Sequence, residues 1–299
     1  MKSGSASKQQ LGGPSWLRLL LISGLASAQL TLYWRTGNAN IEAFSIMAAV
    51  SWIGATMLLL GLEEQQASLP LVQIPWTRFW LGVLLVVWCL NVLSFAAQFY
   101  DPLLHGVPLM AGVGVALLAG VRLRSRLMLE LAVIGALLPL QVLANRFLPT
   151  DWLAASTAQA SAALLWLAGT PAVAQGHEVS LADKTLLVGA SCTGLNTLML
   201  VIAALLMVQL ISGIGQQRWW RAWLRWLLAL GLALVAAWAI NACRVCLLAW
   251  MDPAEPQQWW QQLRSFDFWH DGWGSHLFSL VAMVLGLQCL ELLLAKDSA

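Results

Sequence analysis

The chain has 299 residues, 60% of them hydrophobic and only 10% charged, with a mean hydropathy of +0.73. Soluble globular domains carry about a quarter charged residues, so lipid is the solvent for most of this chain. Disorder, a collagen, a disulfide scaffold and a secreted soluble enzyme are excluded, and a formal charge of +2 spread over dispersed basic residues excludes nucleic-acid binding.

A bilayer core takes about 20 apolar residues as a helix, because backbone hydrogen bonds must close within the segment. Eight stretches qualify: Trp16–Trp34, Ile41–Leu62, Arg78–Tyr100, Leu103–Val121, Leu127–Asn145, Thr193–Ile214, Leu224–Trp250 and Gly274–Leu294. The basic residues ahead of the first span and the small residues Ser23 to Ala28 imitate a signal peptide, but the apolar run continues through them, so the first span is read as uncleaved. With the N-terminus inside, eleven of the sixteen basic residues fall on the cytoplasmic side, among them Arg122, Arg124, Arg126, Arg218, Arg221 and Arg225. The expectation is an all-α polytopic membrane protein of about eight transmembrane helices with both termini cytoplasmic. It forms one integral-membrane domain over residues 1–299, with a motif-bearing core at about 150–295 and no soluble accessory domain.

One apolar segment does not fit as a span. Asp151–Gly169 would reverse the orientation of everything after it and put the Arg218–Arg225 cluster outside, so it reads as a helix lying in the outer interface, or re-entrant. Thr170–Ala190 alternates apolar and polar residues around Leu-Ala-Asp-Lys, which predicts a short β-hairpin on the outer face.

In this topology Cys192, Arg244 and His270 all arrive at the outer membrane boundary. A helix N-terminus or a nearby cation favours the nucleophilic thiolate of a cysteine. A histidine exchanges protons with a leaving amine, and a guanidinium stabilises an oxyanion. Together they describe cysteine acyl transfer. Taken singly, each has a plainer reading. A cysteine at a helix start ordinarily packs as a small hydrophobe, an arginine near a span end snorkels, and a loop histidine is solvated. Arg244 lies several residues inside its span beside Asn241, where charge points to function. The combination at one depth carries the argument.

The other candidates are weaker. Cys243 and Cys246 form a C-x-x-C without a second pair or clustered histidines, so no metal site is expected and they read as core around Arg244. Cys89 and Cys289 read as core. His105 and His177 fall on the outer side without chemical context, while Asp267 and Asp271 flank His270 and either could orient its ring. No residue pattern asks for a cofactor. Trp250, Trp259, Trp260, Trp269 and Trp273 gather near the proposed site as an interface belt.

The sequence also carries a family likeness. Ser191-Cys192-Thr193-Gly194 at a helix start, Asn241-Ala-Cys-Arg244 in the next helix, and His270 with Gly274 at +4 and Phe278 at +8 resemble the exosortase/archaeosortase family. Ser191 for the usual Ala and Thr193 for Ser are small departures. His276 lacks the Gly at +4 and competes with His270 on weaker spacing. The resemblance implies a transpeptidase-like protease, multi-pass in the cytoplasmic (inner) membrane, with its active site facing the outside or periplasm. Cys192 would be the nucleophile, Arg244 the transition-state stabiliser and His270 the proton donor. Asn241, Thr193, Gly194, Asp271 and His276 would be supporting candidates. The partners implied are the lipid bilayer and exported proteins with a C-terminal sorting helix. The alternative class is a polytopic transporter or assembly component for a polysaccharide or lipid intermediate, which inverted repeats and Gly/Pro-broken spans would mark; neither is evident.

Overall fold

A computed structural model describes residues 15–36, 39–66, 74–96, 102–189, 192–212, 219–251, 258–270 and 272–294. The chain divides into two compact units, Met1–Val142 and Leu143–Ala299. The first holds α1 (Ser15–Thr36), α2 (Ala39–Gln66), α3 (Trp76–Ala96), α4 (Val107–Leu118) and most of α5 (Arg126–Phe147). The second holds α6 (Asp151–Leu167), three strands, α7 (Leu195–Ser212), α8 (Trp219–Trp250), α9 (Phe266–His270) and α10 (Trp273–Leu294).

Each of the eight expected spans contains a helix among the described residues, and six segments there are long and apolar enough to cross a membrane. The other two helices are shorter. At 12 residues α4 rises about 18 Å, bounded by a 3-10 turn over Pro102–Gly106 before it and by Gly120 in a left-handed conformation after it. It survives at that length because α1, α2 and α3 surround it.

Within the first unit, polar side chains close on one another. Trp52 Nε1 donates to Gln29 Oε1 at 2.7 Å, Gln29 Nε2 donates to the Leu104 carbonyl at 2.5 Å, and Tyr33 Oη lies 2.7 Å from His105 Nδ1. His105 therefore does have a chemical context: it is buried, stacked on Tyr33 and met edge-on by Phe44.

In the second unit small residues face inward and large ones outward, the pattern expected where lipid is no more apolar than leucine. Leu224, Leu228, Leu232 and Val235 of α8 are exposed, while Ala229, Ala233 and Ala237 are buried against Val201 and Leu205 of α7 and Ala282 and Leu290 of α10. A four-residue spacing precesses about 40° per step on a 3.6-residue helix. The stripe continues through Asn241, Val245 and Ala249, and by that point it has turned to a second cluster shared with α6 and the sheet.

The segment between α6 and α7 is richer than the expected hairpin. β1 (Val173–Gln175), β2 (Glu178–Ser180) and β3 (Thr185–Leu187) form a three-stranded antiparallel meander in the order β1-β2-β3. The Leu-Ala-Asp-Lys turn joins β2 to β3, and Gly176-His177 supplies a second tight turn that the alternation argument missed. Val179 and Val188 point into the cluster, and α6 packs on β1 and β2. The α6 helix also turns its small polar side inward: Thr157 and Ser161 are buried, whereas Trp152, Trp166 and Leu167 are exposed.

Candidate functional site

Cys192 follows β3 closely. Its N–H donates to the Gly189 carbonyl at 2.9 Å, a turn that closes two residues beyond the strand. Thr193 Oγ1 then accepts the Leu195 N–H at 3.3 Å, and the Gly194 carbonyl accepts the first helical bond, from Leu198 N–H at 2.9 Å. The thiol-bearing residue thus stands two positions before the N-cap of α7, where unpaired amides and the helix dipole favour an anion. Gly194 has φ +83°, and a Cβ there would lie 2.8 Å from Cγ and Nδ2 of Asn241. Glycine is required twice over, by backbone conformation and by the approach of α8.

That approach is polar. Asn241, 2% exposed, donates from Nδ2 to the Cys192 carbonyl at 2.8 Å, and its Oδ1 is buried without a hydrogen-bond partner among the described residues. Arg244 comes three residues later on α8, so it lies one turn along and on the same side as Asn241. It is 6% exposed, a cation buried in the second unit. Cys192, 3% exposed, sits in a cluster with Val245 and Cys246 of α8 and Ala158 and Ala162 of α6. Its thiol is shielded from bulk water.

Two residues that the sequence argument did not single out brace this junction. Thr157 Oγ1 donates to the Thr193 carbonyl at 3.4 Å, and Ser161 Oγ reaches the Ala242 carbonyl at 3.2 Å. The α6 helix therefore grips the Cys192 turn and the Arg244 turn together. A signal existed in the repeat of small residues at 154, 158 and 162 beside Thr157 and Ser161, the composition that lets helices meet closely.

The third element arrives through aromatic packing. Phe266 and Trp269 of α9 lie against the cluster that contains Cys192. Ser265 Oγ accepts the Phe268 N–H at 3.3 Å and caps α9, and Trp269 Nε1 donates to the Leu263 carbonyl at 2.9 Å. His270 closes α9 with its ring stacked on Phe266, centroids 4.9 Å apart. His276 lies in the first turn of α10 with its ring edge-on to Trp273, which is 75% exposed. The Thr197–Ser279 hydroxyl bond, 2.9 Å, ties the beginnings of α7 and α10 together. The N-termini of α7 and α10 and the C-terminal part of α8 thus meet at one end of the second unit, with α9 packed on α8. Asp271 and Ser191 lie outside the described residues, as do the side chains of Trp259 and Trp260.

The spacing His270-x3-Gly274-x3-Phe278 acquires a physical meaning here. A Cβ at Gly274 would strike the Trp269 ring and the Phe268 carbonyl, and Phe278 meets the same indole edge-on at 5.8 Å. Both motif positions hold Trp269, the neighbour of His270. Trp269 is thus a packed pillar of the site, while Trp250 and Trp273 stay exposed as belt residues do.

The cysteine pair separates. Cys246 is buried, its thiol donating to the Ser161 carbonyl at 3.2 Å, but Cys243 faces outward and is not core. Cys89 is buried as expected and Cys289 is half-buried. Among the described residues no group of three His, Cys, Asp or Glu could hold a metal ion.

A family model described as transmembrane exosortase (Exosortase_EpsH) matches residues 62–287, more than half of the chain. No curated protein and no solved structure matches.

Proposed function

Because the chain belongs to the transmembrane exosortase family, we propose that it is a membrane-embedded cysteine transpeptidase or protease that cleaves the C-terminal sorting signal of exported proteins. Such a signal, by the family likeness, comprises a Pro-Glu-Pro-type motif, an apolar helix and a basic tail, and its processing accompanies exopolysaccharide production. In this reading Cys192 Sγ attacks the scissile carbonyl carbon, forming a C–S bond. Arg244 stabilises the oxyanion, and His270 donates a proton to the leaving amine as the C–N bond breaks. An amine or water then resolves the thioester and regenerates the thiol. The substrate's own membrane helix would hold the scissile bond at the outer surface, which supplies orientation.

The observation that supports this most directly is the buried bond from Asn241 Nδ2 to the Cys192 carbonyl, with Arg244 on the next turn of α8. It ties the Cys192 turn to the part of α8 that carries Arg244, with 49 positions between Cys192 and Asn241. The test is a tagged reporter ending in the sorting signal, co-expressed with single variants. Cys192→Ala is expected to leave the reporter full length. Arg244→Ala should slow processing about 10²- to 10³-fold and His270→Ala about 10²- to 10⁴-fold, the usual effects of losing an oxyanion donor and a general acid. Normal processing by Cys192→Ala overturns the reading, and an inactive His276→Ala beside an active His270→Ala reassigns the histidine.

A further inference from the structure

We propose that the free edge of β3 is the docking strand for the substrate: an extended segment of the exported polypeptide pairs with Thr185 and Leu187 and is led along them to Cys192. This rests on the reading of Cys192 as nucleophile.

The ladder defines which backbone groups are available. Leu181 N–H bonds the Lys184 carbonyl and Val188 N–H bonds the His177 carbonyl, both at 2.8 Å, and Val179 faces Leu186 in the register. In an antiparallel pair alternate residues direct their amides and carbonyls across the ladder. Lys184, Leu186 and Val188 therefore turn toward β2, and Thr185 and Leu187 turn away from it. The strand order leaves β3 at the edge, while α6 packs on β1 and β2. Gly189 N–H takes the Leu187 carbonyl at 3.1 Å. The Thr185 N–H, the Thr185 carbonyl and the Leu187 N–H meet no backbone partner among the described residues.

Among the described residues no strand pairs with this edge, and it is joined to the site. Lys184, Thr185 and Leu187 are exposed, Leu187 on the face of β3 opposite the core. An unpaired edge is a template for another extended chain. Two residues beyond β3, the Gly189 carbonyl holds the Cys192 N–H. A segment paired with Thr185 and Leu187 would run alongside the turn that carries the thiol. Pairing through main-chain groups suits a polypeptide substrate, because every peptide bond offers the same amide and carbonyl. The occupant is thus an extended polypeptide rather than a free lipid, which has no strand to add.

The experiment uses the full chain in membranes and reads docking without cleavage. Thr185→Cys is placed in a Cys192→Ala background and co-expressed with a reporter ending in an apolar helix and a basic tail. Single cysteines are scanned through the residues just before that helix, and disulfide adducts are measured after mild oxidation. Adducts are expected at every second reporter position, the period of a strand. Adducts at consecutive positions, no adducts, or enzyme–enzyme adducts in place of reporter adducts would overturn the proposal. In the active chain, Leu187→Pro removes one outward N–H and no β2–β3 bond, and processing should fall about fivefold or more. Cys192-dependent processing that ignores Leu187→Pro, together with a flat adduct pattern, discards the docking edge and leaves the protease reading standing. Period-two adducts with a reporter that wild type never cleaves discard the protease reading and keep the edge.

Discussion

At Asn241 an amide occupies a stripe otherwise made of alanine and valine, and Gly194 makes room for it. Gly194→Ala adds a Cβ at φ +83° and against the Asn241 amide, so it should destabilise the protein by about 1–2 kcal/mol from backbone conformation alone. Reporter processing should fall with it, and the melting temperature of the detergent-solubilised protein reads the first effect. Ser161 gives a contrasting case. Ser161→Ala removes one interhelical bond to the Ala242 carbonyl, a loss of roughly 0.6 kcal/mol by the average for membrane helices, and activity should persist. Ser161→Leu should be far worse, because Ser161 is fully buried between α6 and α8 and overpacking costs about 1–3 kcal/mol. Equal melting points for the two variants would show that α6 does not press on α8 there. At the candidate site, the motifs pointed to Cys192, Thr193, Gly194 and Asn241, whereas none pointed to Ser161 and Thr157. Their roles are hydrogen bonds to carbonyls 81 and 36 positions away, which no local spacing encodes.

At the scale of elements, α9 and α10 form a corner around one indole. The Gly272 N–H bonds the Asp267 carbonyl at 2.9 Å, and Ser275 Oγ donates to the Gly272 carbonyl at 2.8 Å, which makes the turn tight. Gly274→Ala would push the start of α10 off Trp269, and Phe278→Ala would remove its edge-on partner. Both should lower processing without touching a reacting atom, and both should leave the first unit's melting transition where it is. If Gly274→Ala has full activity, the motif spacing does not serve to position His270. The sheet behaves differently. The alternation of Thr170–Ala190 announced strands, but β1 joins because Ala172 and Ala174 have the cluster beneath them, and that packing decides the third strand.

Across the whole molecule, exposed leucine, valine and tryptophan outside and alanine, glycine and small polar residues inside are what a lipid solvent selects. The same solvent makes the buried network around His105 costly to disturb. Tyr33→Phe removes the hydroxyl 2.7 Å from His105 Nδ1 and should lower stability by about 0.5–1.5 kcal/mol, the net worth of one hydrogen bond. The variant should retain processing, since this network belongs to the first unit. Orientation is testable on the sheet. Asp183 is exposed in the β2–β3 turn, so Asp183→Cys should react with a membrane-impermeant thiol reagent applied from outside, whereas the shielded Cys192 reacts slowly. Labelling of Asp183→Cys only after the cytoplasmic side is opened would reverse the topology read from the basic residues.

The sequence by itself determined that the chain is helical and membrane-spanning and which family it belongs to, because hydropathy and short motif spacings are local properties. The helical form of Asp151–Leu167 could be anticipated, but its partner could not. Only the tertiary structure decided that α6 braces the Cys192 and Arg244 turns together, that Gly274 and Phe278 pack on Trp269, that Cys243 points away, and that the edge strand β3 leads into the Cys192 turn. Each of these depends on which side of one element meets another across tens of residues, and burial and hydrogen bonding select that side only once the helices have packed.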